Sequence, residues 1–520
     1  MSIFTADKRM QFSVVWFRRV RRAVATATAA VVVAGMLVGT GAQVASASTA
    51  GTQYLIEGIS ASVIVGDGGT IDATLTTVNE YIATMTPSVA GQLAKVPGSI
   101  VTPDQTVSTQ SWDYQADSTT HAPSAVYPTV TQATSLWSQG INGSGVGVAV
   151  LDTGINASLP DLAGRVIDGV DLSGASTPSP YTDQYGHGTF IAGLIASSGV
   201  TSNGAYMGEA PGANLISIKV AGANGITSEG QVIQGIEWAI AHQAADNIRV
   251  LNLSIGLMPS GPSGTDPLDQ AVEQAWNAGI VVVAAAGNYG PDNLTISVPG
   301  NDPLAITVGA LDDGGQTNPA NYMIPSFTSV GPTLYNGWLK PDLIAPGRSV
   351  ISLADPGSTI YTQNPSAIDP MGGFTGSGTS FSTAIVSGIV AMMIQAHPSW
   401  TPDNAKSQLI ATALTPPVNY PLVAGHGIAN ALGAVMATGV PQLSQASAAA
   451  AEQSQPTADN PIQKAWAVSS WNADNWSGVA WNGVAWNGVA WNGVAWNGVA
   501  WNGVAWNGVA WNGVAWNGVA

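Results

Sequence analysis

Length, composition and charge limit the class of protein before any motif is considered. The chain has 520 residues, which predicts two to four structural units, and its apolar content is ample for a large core. Its formal charge of −17 disfavours binding to nucleic acid or to an anionic membrane. The chain has no cysteine, which excludes disulfides, thiolate catalysis and cysteine-ligated zinc.

The N-terminus has the pattern of an export signal. A basic stretch ends in Arg21 and Arg22, an apolar run follows over residues 23–38, and Ala45-Ser46-Ala47 offers small residues to a signal peptidase. We expect residues 1–47 to be a removed signal peptide and the mature protein to be secreted or attached to the cell surface. An uncleaved membrane anchor is the alternative, although the apolar run is shorter than the roughly 20 residues that span a bilayer.

Residues 48–115 are predicted to form a small α+β unit. The patterns indicate a strand over residues 53–65, a helix over 72–90 and a second strand over 98–102. Residues 111–128 are rich in Ser, Thr, Asp and Pro, which is typical of an exposed connection that a protease can cut.

Strand and helix patterns alternate from about residue 129 to residue 439. The predicted strands cover residues 145–151, 214–220, 250–255, 280–286 and 305–308. The predicted helices include residues 191–197, 229–243 and 267–278. This alternation predicts an α/β fold in which helices flank a mostly parallel sheet. In such folds, functional groups collect at the carboxyl ends of the strands.

The composition changes abruptly after residue 440. Residues 441–465 are rich in Ala, Ser, Gln and Pro, which predicts a linker. Tryptophan then recurs every fifth residue over 466–520, and Trp-Asn-Gly-Val-Ala is repeated eight times without error from residue 481. This period fits neither a strand with one apolar face nor a 3.6-residue helix. The repeat is either a turn-rich solenoid or a low-complexity tail.

A glycine-rich loop leads into an apolar helical stretch near residue 380. The run Gly376-Ser377-Gly378-Thr379-Ser380 places Ser380 at the predicted helix start, where a serine is most often an N-cap. The same position suits a nucleophile, because the helix dipole and free amides favour the negative charge that develops when a hydroxyl attacks a carbonyl. Only partner groups elsewhere in the chain can separate these interpretations.

Three polar residues at the ends of other elements are candidates for those partners. Asp152 follows the strand over residues 145–151, His187 opens an apolar helix, and Asn288 follows the strand over 280–286. Each alone is more simply a turn, cap or packing residue. Together with Ser380 they stand in the order Asp, His, Asn, Ser, which is the order of the subtilisin-type triad with an asparagine between His and Ser.

The chain resembles the subtilisin-like serine proteases, the subtilase family, over roughly residues 125–435. Framework stretches that match in order begin at Gly208, Leu251, Val298 and Lys340. The resemblance implies a subtilisin-like three-layer α/β fold for a catalytic domain over residues 125–440. It also implies that residues 48–115 are a propeptide, which assists folding and inhibits the enzyme until it is cleaved between about residues 104 and 125.

The resemblance assigns a role to each matching residue. Ser380 would attack the scissile carbonyl, His187 would take up and return the proton, and Asp152 would orient His187. The Asn288 amide and the Ser380 N–H would bind the oxyanion. The substrate backbone and primary pocket would be formed by two segments, Ser254-Ile255-Gly256 and Ala285-Ala286-Gly287. Their small side chains predict broad specificity with an apolar preference, and the chemistry requires no cofactor.

Two departures from the family pattern affect the predictions. Phe381 stands where a methionine is common after the nucleophile. Asp161 matches one common calcium-ligand position, whereas the loop over residues 199–207 does not clearly match a binding loop. Metal ligands therefore stay unassigned, and structural calcium stays open.

Two classes of function follow from these patterns. The first is a secreted serine endopeptidase that acts on proteins or peptides and is inhibited by its own propeptide. The second is a protein that binds glycans or another cell-surface polymer through the Trp repeat, whose aromatic rings could stack on sugar faces. A catalytically silent relative is disfavoured because every catalytic position is filled, and nucleic acid is not a predicted partner.

Overall fold

The computed structural model describes residues 51–110, 113–114, 125–176, 178–418 and 420–437. The predicted signal peptide, the linker over 441–465 and the Trp repeat over 466–520 lie outside these residues. The described residues from Thr52 onward belong to one structural unit.

Residues 52–103 form a four-stranded antiparallel sheet with two short helices. The elements are β1 (Thr52–Glu57), α1 (Ala61–Gly66), β2 (Thr70–Leu75), β3 (Glu80–Met85), α2 (Pro87–Leu93) and β4 (Ile100–Pro103). The strand order is β2-β3-β1-β4. Ile56, Ile64 and Leu93 are among the buried residues of a small core between the sheet and the helices.

Two predictions for this segment are wrong. The expected helix over residues 72–90 is instead the hairpin of β2 and β3 followed by α2, and Asn79 at φ 57° closes the turn that the sequence pattern concealed. The expected strand over residues 53–65 ends at Glu57, because Gly58 at φ 75° turns the chain into α1.

A seven-stranded parallel sheet forms the centre of the remaining chain, as predicted. Its strand order is β14-β13-β12-β10-β6-β8-β7. The strands are β6 (Gly147–Asp152), β7 (Val166–Asp171), β8 (Asn214–Lys219), β10 (Ile248–Leu253), β12 (Val281–Ala285), β13 (Ile306–Leu311) and β14 (Leu343–Pro346). Strands β6, β10, β12, β13 and β14 are almost wholly buried. Their continuous apolar runs reflect helices on both faces.

The helices α6 (Glu229–Asp246) and α9 (Thr379–Ala396) cover opposite faces of this sheet. Gly235 of α6 lies against Leu151, whereas Ser387 of α9 donates a hydrogen bond to Asn252, which pairs with the adjacent Val150. Successive side chains of a strand point to opposite faces, so the two helices sandwich the sheet. Helix α9 is long and apolar enough to cross a membrane, but 89% of it is buried within the protein.

Smaller elements complete the layers. The other helices are α3 (Tyr127–Val130), α4 (Thr134–Trp137), α5 (His187–Ala196), α7 (Pro267–Asn277), α8 (Thr359–Gln363), α10 (Pro402–Ala411), α11 (Pro421–Ala424) and α12 (Ala431–Met436). The antiparallel strands β15 (Val350–Leu353) and β16 (Gly373–Gly376) pair with each other. A three-stranded sheet joins β5 (Thr106–Thr109), β9 (Ile226–Ser228) and β11 (Ile255–Gly256), and it lies beside the candidate site.

Candidate active site

Asp152 and His187 meet at the carboxyl end of the central strand β6. Asp152 is the last residue of β6, and His187 is the first residue of α5. The His187 Nδ1 atom lies 2.8 Å from Oδ1 and 2.9 Å from Oδ2 of Asp152, and both residues are fully buried. A carboxylate in this place fixes the ring orientation and stabilises a positive charge on the imidazole.

Asp183 connects the loops that carry Asp152 and His187, a role that the sequence analysis missed. Its carboxylate accepts hydrogen bonds from the Thr153 hydroxyl, the Gly186 N–H, and both the N–H and hydroxyl of Thr189, at 2.7–2.8 Å. Burial raises the pKa of Asp183, and these hydrogen bonds oppose that rise. Asp183 is therefore a positioning residue for the pair.

We expect Asp183→Asn to lower both stability and turnover. The substitution replaces an acceptor with a buried N–H donor that faces other donors, at a cost of about 3 kcal/mol, and it loosens the contacts around His187. Thermal unfolding should shift down by several degrees, and kcat should fall roughly tenfold or more. The exposed carboxylate variant Asp292→Asn is the control and should match the wild-type protein in both measurements. Equal behaviour of the two variants would contradict the positioning role.

Ser380 lies in the first turn of α9 but is not its N-cap. Gly378 occupies the N-cap position, and Ser380 is the second helical residue. The Ser380 hydroxyl donates a hydrogen bond to the Ser254 carbonyl at 3.2 Å instead of accepting one from a helix N–H. The simpler interpretation of Ser380 as a helix cap is therefore wrong.

Ser380 and His187, both among the described residues, do not form a hydrogen bond with each other. The buried Nε2 atom of His187 has no hydrogen-bond partner among the described residues. An imidazole nitrogen left open in this way can accept a proton once a hydroxyl turns toward it. Here the Ser380 hydroxyl points to the Ser254 carbonyl, and it would have to turn toward His187 to transfer its proton.

Asn288 and the Ser380 N–H converge on one carbonyl oxygen. The Asn288 Nδ2 atom donates to the Gln110 carbonyl at 2.5 Å, and the Ser380 N–H donates to the same oxygen at 3.2 Å. The Asn288 amide is held in this orientation because its Oδ1 atom accepts from the N–H and hydroxyl of Thr379. These are the two donors that the sequence analysis assigned to an oxyanion, and the protein's own backbone occupies the position between them.

The segment before Gln110 is an extended strand that lies in a groove between β9 and β11. Strand β5 pairs antiparallel with β11, so that Thr109 lies opposite Ile255 and Ser108 opposite Gly256. On its other edge β5 pairs antiparallel with β9. The Gln110 N–H then donates to the Ser254 carbonyl at 3.0 Å. A strand held between two edges in this way has the geometry of a bound peptide.

Three of the six predicted pocket residues pair with this strand. Ser254, Ile255 and Gly256 supply the backbone that it pairs with, and the Gly256 carbonyl accepts a hydrogen bond from the Gln110 side-chain amide at 3.1 Å. Ala285, Ala286 and Gly287 are fully or largely enclosed and lead directly to Asn288. The buried Ser297 hydroxyl donates to the Ala286 carbonyl at 3.2 Å. This hydroxyl therefore helps to fix the backbone of residues 285–287.

Phe381, the residue after Ser380, is fully buried among aromatic rings. Its ring centroid lies 4.4 Å from that of Phe190 and 5.8 Å from that of His187. A methionine here can be oxidised to a polar sulfoxide, whereas phenylalanine does not undergo this reaction. We therefore expect any activity of this site to withstand dilute peroxide, and the activity of Phe381→Met to fall with time. Residual activity should be measured against exposure time, and equal inactivation of both proteins would contradict the prediction.

Asp161, which matches a common calcium-ligand position, is bonded to a neighbouring loop in this structure. Its buried carboxylate accepts hydrogen bonds from the Thr201 hydroxyl at 2.6 Å and from the Thr201 N–H at 3.3 Å. Within the described parts of the chain, no group of three or more acidic, histidine or cysteine side chains is arranged to hold a metal ion. The Asp161 oxygens are used to hold the loop that begins near residue 199.

Comparison with known proteins assigns the family. Residues 143–451 match the model of the subtilase family, which covers more than half of the chain. The serine protease AprX of Bacillus subtilis is 46% identical over 277 residues, a match that spans 52% of this chain and 62% of AprX. Subtilisin NAT of Bacillus subtilis subsp. natto is 34% identical over 353 residues, which is 68% of this chain and 80% of that protein.

A solved structure agrees with the observed fold. Fervidolysin from Fervidobacterium pennivorans, a keratinolytic enzyme related to subtilisin, aligns with a TM-score of 0.59 and 23% identity. The alignment covers 77% of this chain and 63% of fervidolysin, and it shows the subtilisin-like fold. From its fold, its site and these relatives, the chain belongs to the subtilase family of serine endopeptidases.

Proposed function

We propose that the protein hydrolyses peptide bonds with Ser380 as nucleophile, His187 as general base and acid, and Asp152 as the group that orients His187. Ser380 would attack the scissile carbonyl, and its proton would pass to His187 Nε2 and then to the leaving amine. The acyl-enzyme would then be hydrolysed by water. The negative oxygen formed at each step would be bound by Asn288 and the Ser380 N–H.

The observation that carries this proposal is the position of the Gln110 carbonyl. Its oxygen accepts hydrogen bonds from both proposed oxyanion donors, while β5 pairs with the groove as a peptide substrate would. The carbonyl carbon of Gln110 is thereby presented next to Ser380. This arrangement supports acyl transfer as the reaction of the site.

The same contact leads us to propose that the first bond cut is Gln110–Ser111. This position lies within the expected maturation region of about residues 104–125, and it makes residues 48–110 a propeptide that blocks the groove. N-terminal sequencing of the purified active enzyme should give a chain that begins with Ser-Trp-Asp-Tyr, from Ser111. Active enzyme that still begins near Ser48 would overturn the inhibitory role of this segment.

Gln110→Pro provides the matched test for the processing site. Proline fits the backbone poorly here, because it removes the N–H that donates to Ser254 and restricts φ. The wild-type chain should shorten during purification, whereas Gln110→Pro should remain intact at residues 110–111. Processing of both chains at another bond would show that the Gln110 contact is not the cleavage site.

Specificity and location follow as parts of the same proposal. The small pocket walls support broad specificity with tolerance of apolar side chains, and the contact of Gln110 with Gly256 indicates that an uncharged polar side chain is also accepted. Secretion follows from the predicted signal peptide. Binding of a surface polymer by the Trp repeat stays a prediction from the sequence alone.

A further inference from the structure

Four carboxyl groups meet where the proposed propeptide docks on the catalytic domain. Glu80 and Asp104 belong to residues 52–110, and Glu229 and Asp266 stand at the starts of α6 and α7. Asp104 accepts a hydrogen bond from the Gly230 N–H at 2.9 Å, and Asp266 accepts from the Leu268 N–H at 3.0 Å. Two of the four carboxylates therefore cap helix N-termini, where negative charge is favourable.

Glu80 and Glu229 are compensated less completely than these two aspartates. Glu80 is 4% exposed and Glu229 is 1% exposed, and each has one carboxyl oxygen without a hydrogen-bond partner among the described residues. The other Glu229 oxygen lies 3.4 Å from the Gln105 side-chain amide, and the carboxyl also interacts with the Leu268 N–H and with Asp266. Each glutamate thus has one buried oxygen without a hydrogen-bond partner. This is costly for a charged carboxylate and acceptable for a protonated one.

The groups that face these glutamates are acidic. Glu80 faces Glu57, its partner across β1 and β3, and also Asp266. Glu229 faces Asp266, Asp104 and Glu80.

The acidic cluster continues beyond Asp266. Asp266 faces Asp269, and Asp269 faces Asp302 and Glu273. Neither glutamate forms an ion pair with a cation in the described parts of the chain, so ionising either one adds a like charge to a buried cluster.

The pKa values of these carboxyl groups are shifted in the direction that burial among acidic neighbours requires. Burial, reinforced by Glu57 and Asp266, raises the pKa of Glu80 from 4.5 to about 7. Burial, reinforced by Asp266, Asp104 and Glu80, raises the pKa of Glu229 from 4.5 to about 8. Burial also raises the pKa of Asp104 and of Asp266. At neutral pH the docked interface therefore retains protons that exposed glutamates would have lost.

We propose that protons held by Glu80 and Glu229 couple release of the propeptide to pH, so that it stays docked in acid and leaves as the medium becomes neutral to alkaline. This inference rests on the proposed role of residues 52–110 as an inhibitor. Undocking would expose Glu80 to water and leave it only the neighbour Glu57, whereas Glu229 would keep both Asp266 and the Leu268 N–H. Glu80 is therefore the principal proton-dependent group.

The sign of the effect follows from proton linkage. A carboxyl group whose pKa is higher in the docked state favours docking fully below about pH 4.5, and this contribution is lost as pH rises through the docked value of about 7 for Glu80 and about 8 for Glu229. Each pKa unit of difference corresponds to a factor of ten in the docking constant. We expect a loss of at least about tenfold between pH 6 and pH 9.

The test uses the full chain with Ser380→Ala, which cannot cleave itself, and measures hydrogen exchange at two interface amides. The Glu229 N–H donates to Gln105, and the Thr77 N–H donates to Glu237, so both amides report docking. After correction for intrinsic exchange, their protection should fall at least about tenfold from pH 6 to pH 9. Because this chain is inactive by design, the result does not depend on the serine chemistry.

Neutral substitutions distinguish titration from general weakening of the interface. Glu80→Gln in the same background mimics the protonated acid, so the two interface amides should keep most of their protection at pH 9. Adding Glu229→Gln should make this protection nearly independent of pH. Asp72→Asn, which alters a surface carboxylate bonded to Thr84, is the control and should lose protection like the parent chain. If the double variant does not fold, Glu80→Gln alone decides the question. Protection that is independent of pH in the parent, or lost equally in Glu80→Gln, would overturn the proposal.

Discussion

Ser380→Ala is expected to reduce kcat/KM on a peptide substrate by a factor on the order of 10⁶, because nucleophile and base act as a unit. The hydroxyl donates only to the Ser254 carbonyl in this structure, so its loss leaves the fold nearly unchanged. The same substitution should leave residues 48–110 attached to the chain.

Ser382→Ala is the matched control for this prediction. Ser382 lies two residues further along α9, and its buried hydroxyl donates to the Ala345 carbonyl at 2.9 Å. Its removal should cost about 1–3 kcal/mol of stability and leave most of the turnover intact. If Ser380→Ala kept more than about one hundredth of the wild-type rate, Ser380 could not be the nucleophile.

Asn288→Ala is expected to lower kcat by about 10²–10³ with little change in KM. The side-chain amide donates to the Gln110 carbonyl oxygen, at the proposed cleavage position, and we expect the interaction to strengthen as negative charge develops on that oxygen. Steady-state kinetics on a short peptide would separate kcat from KM.

Asn288→Asp separates the loss of this donor from local disorder. The aspartate keeps an oxygen that can accept from Thr379, as Asn288 Oδ1 does, but it cannot donate to the oxyanion. We expect its kcat to be as low as that of the alanine variant. Recovery of activity in Asn288→Asp would mean that the asparagine serves only to hold Thr379.

The central sheet could be predicted from sequence because its strands are continuous apolar runs. Strand β12, for example, was expected over residues 280–286 and extends over Val281–Ala285, where every residue is buried. The N-terminal segment offered no such signal. Strand β2 alternates between exposed and half-buried residues, and its turn into β3 depends on Asn79 rather than on glycine or proline. Its pattern was therefore mistaken for a helix.

The candidate site was predictable only where side chains carry the information. Each predicted catalytic or oxyanion residue follows or begins a recognisable element, and the fold brings these residues to the carboxyl ends of the parallel strands. They are Asp152, His187, Asn288 and Ser380. Gln110 was missed because its backbone carbonyl makes the decisive contact, and a backbone group leaves no trace in residue type. Asp183 was missed because it stands in a polar loop, where an aspartate is ordinary until its hydrogen bonds are known.

The most direct test of the mechanism is labelling with a serine-directed fluorophosphonate, followed by peptide mapping, on mature wild-type enzyme and on the Ser380→Ala and His187→Ala variants. An activated serine should react once per chain in the wild-type enzyme, at Ser380, and both variants should remain unlabelled. Loss of casein cleavage should accompany loss of the label. Labelling at another residue, or equal labelling of Ser380→Ala, would contradict the assignment of Ser380 as the nucleophile.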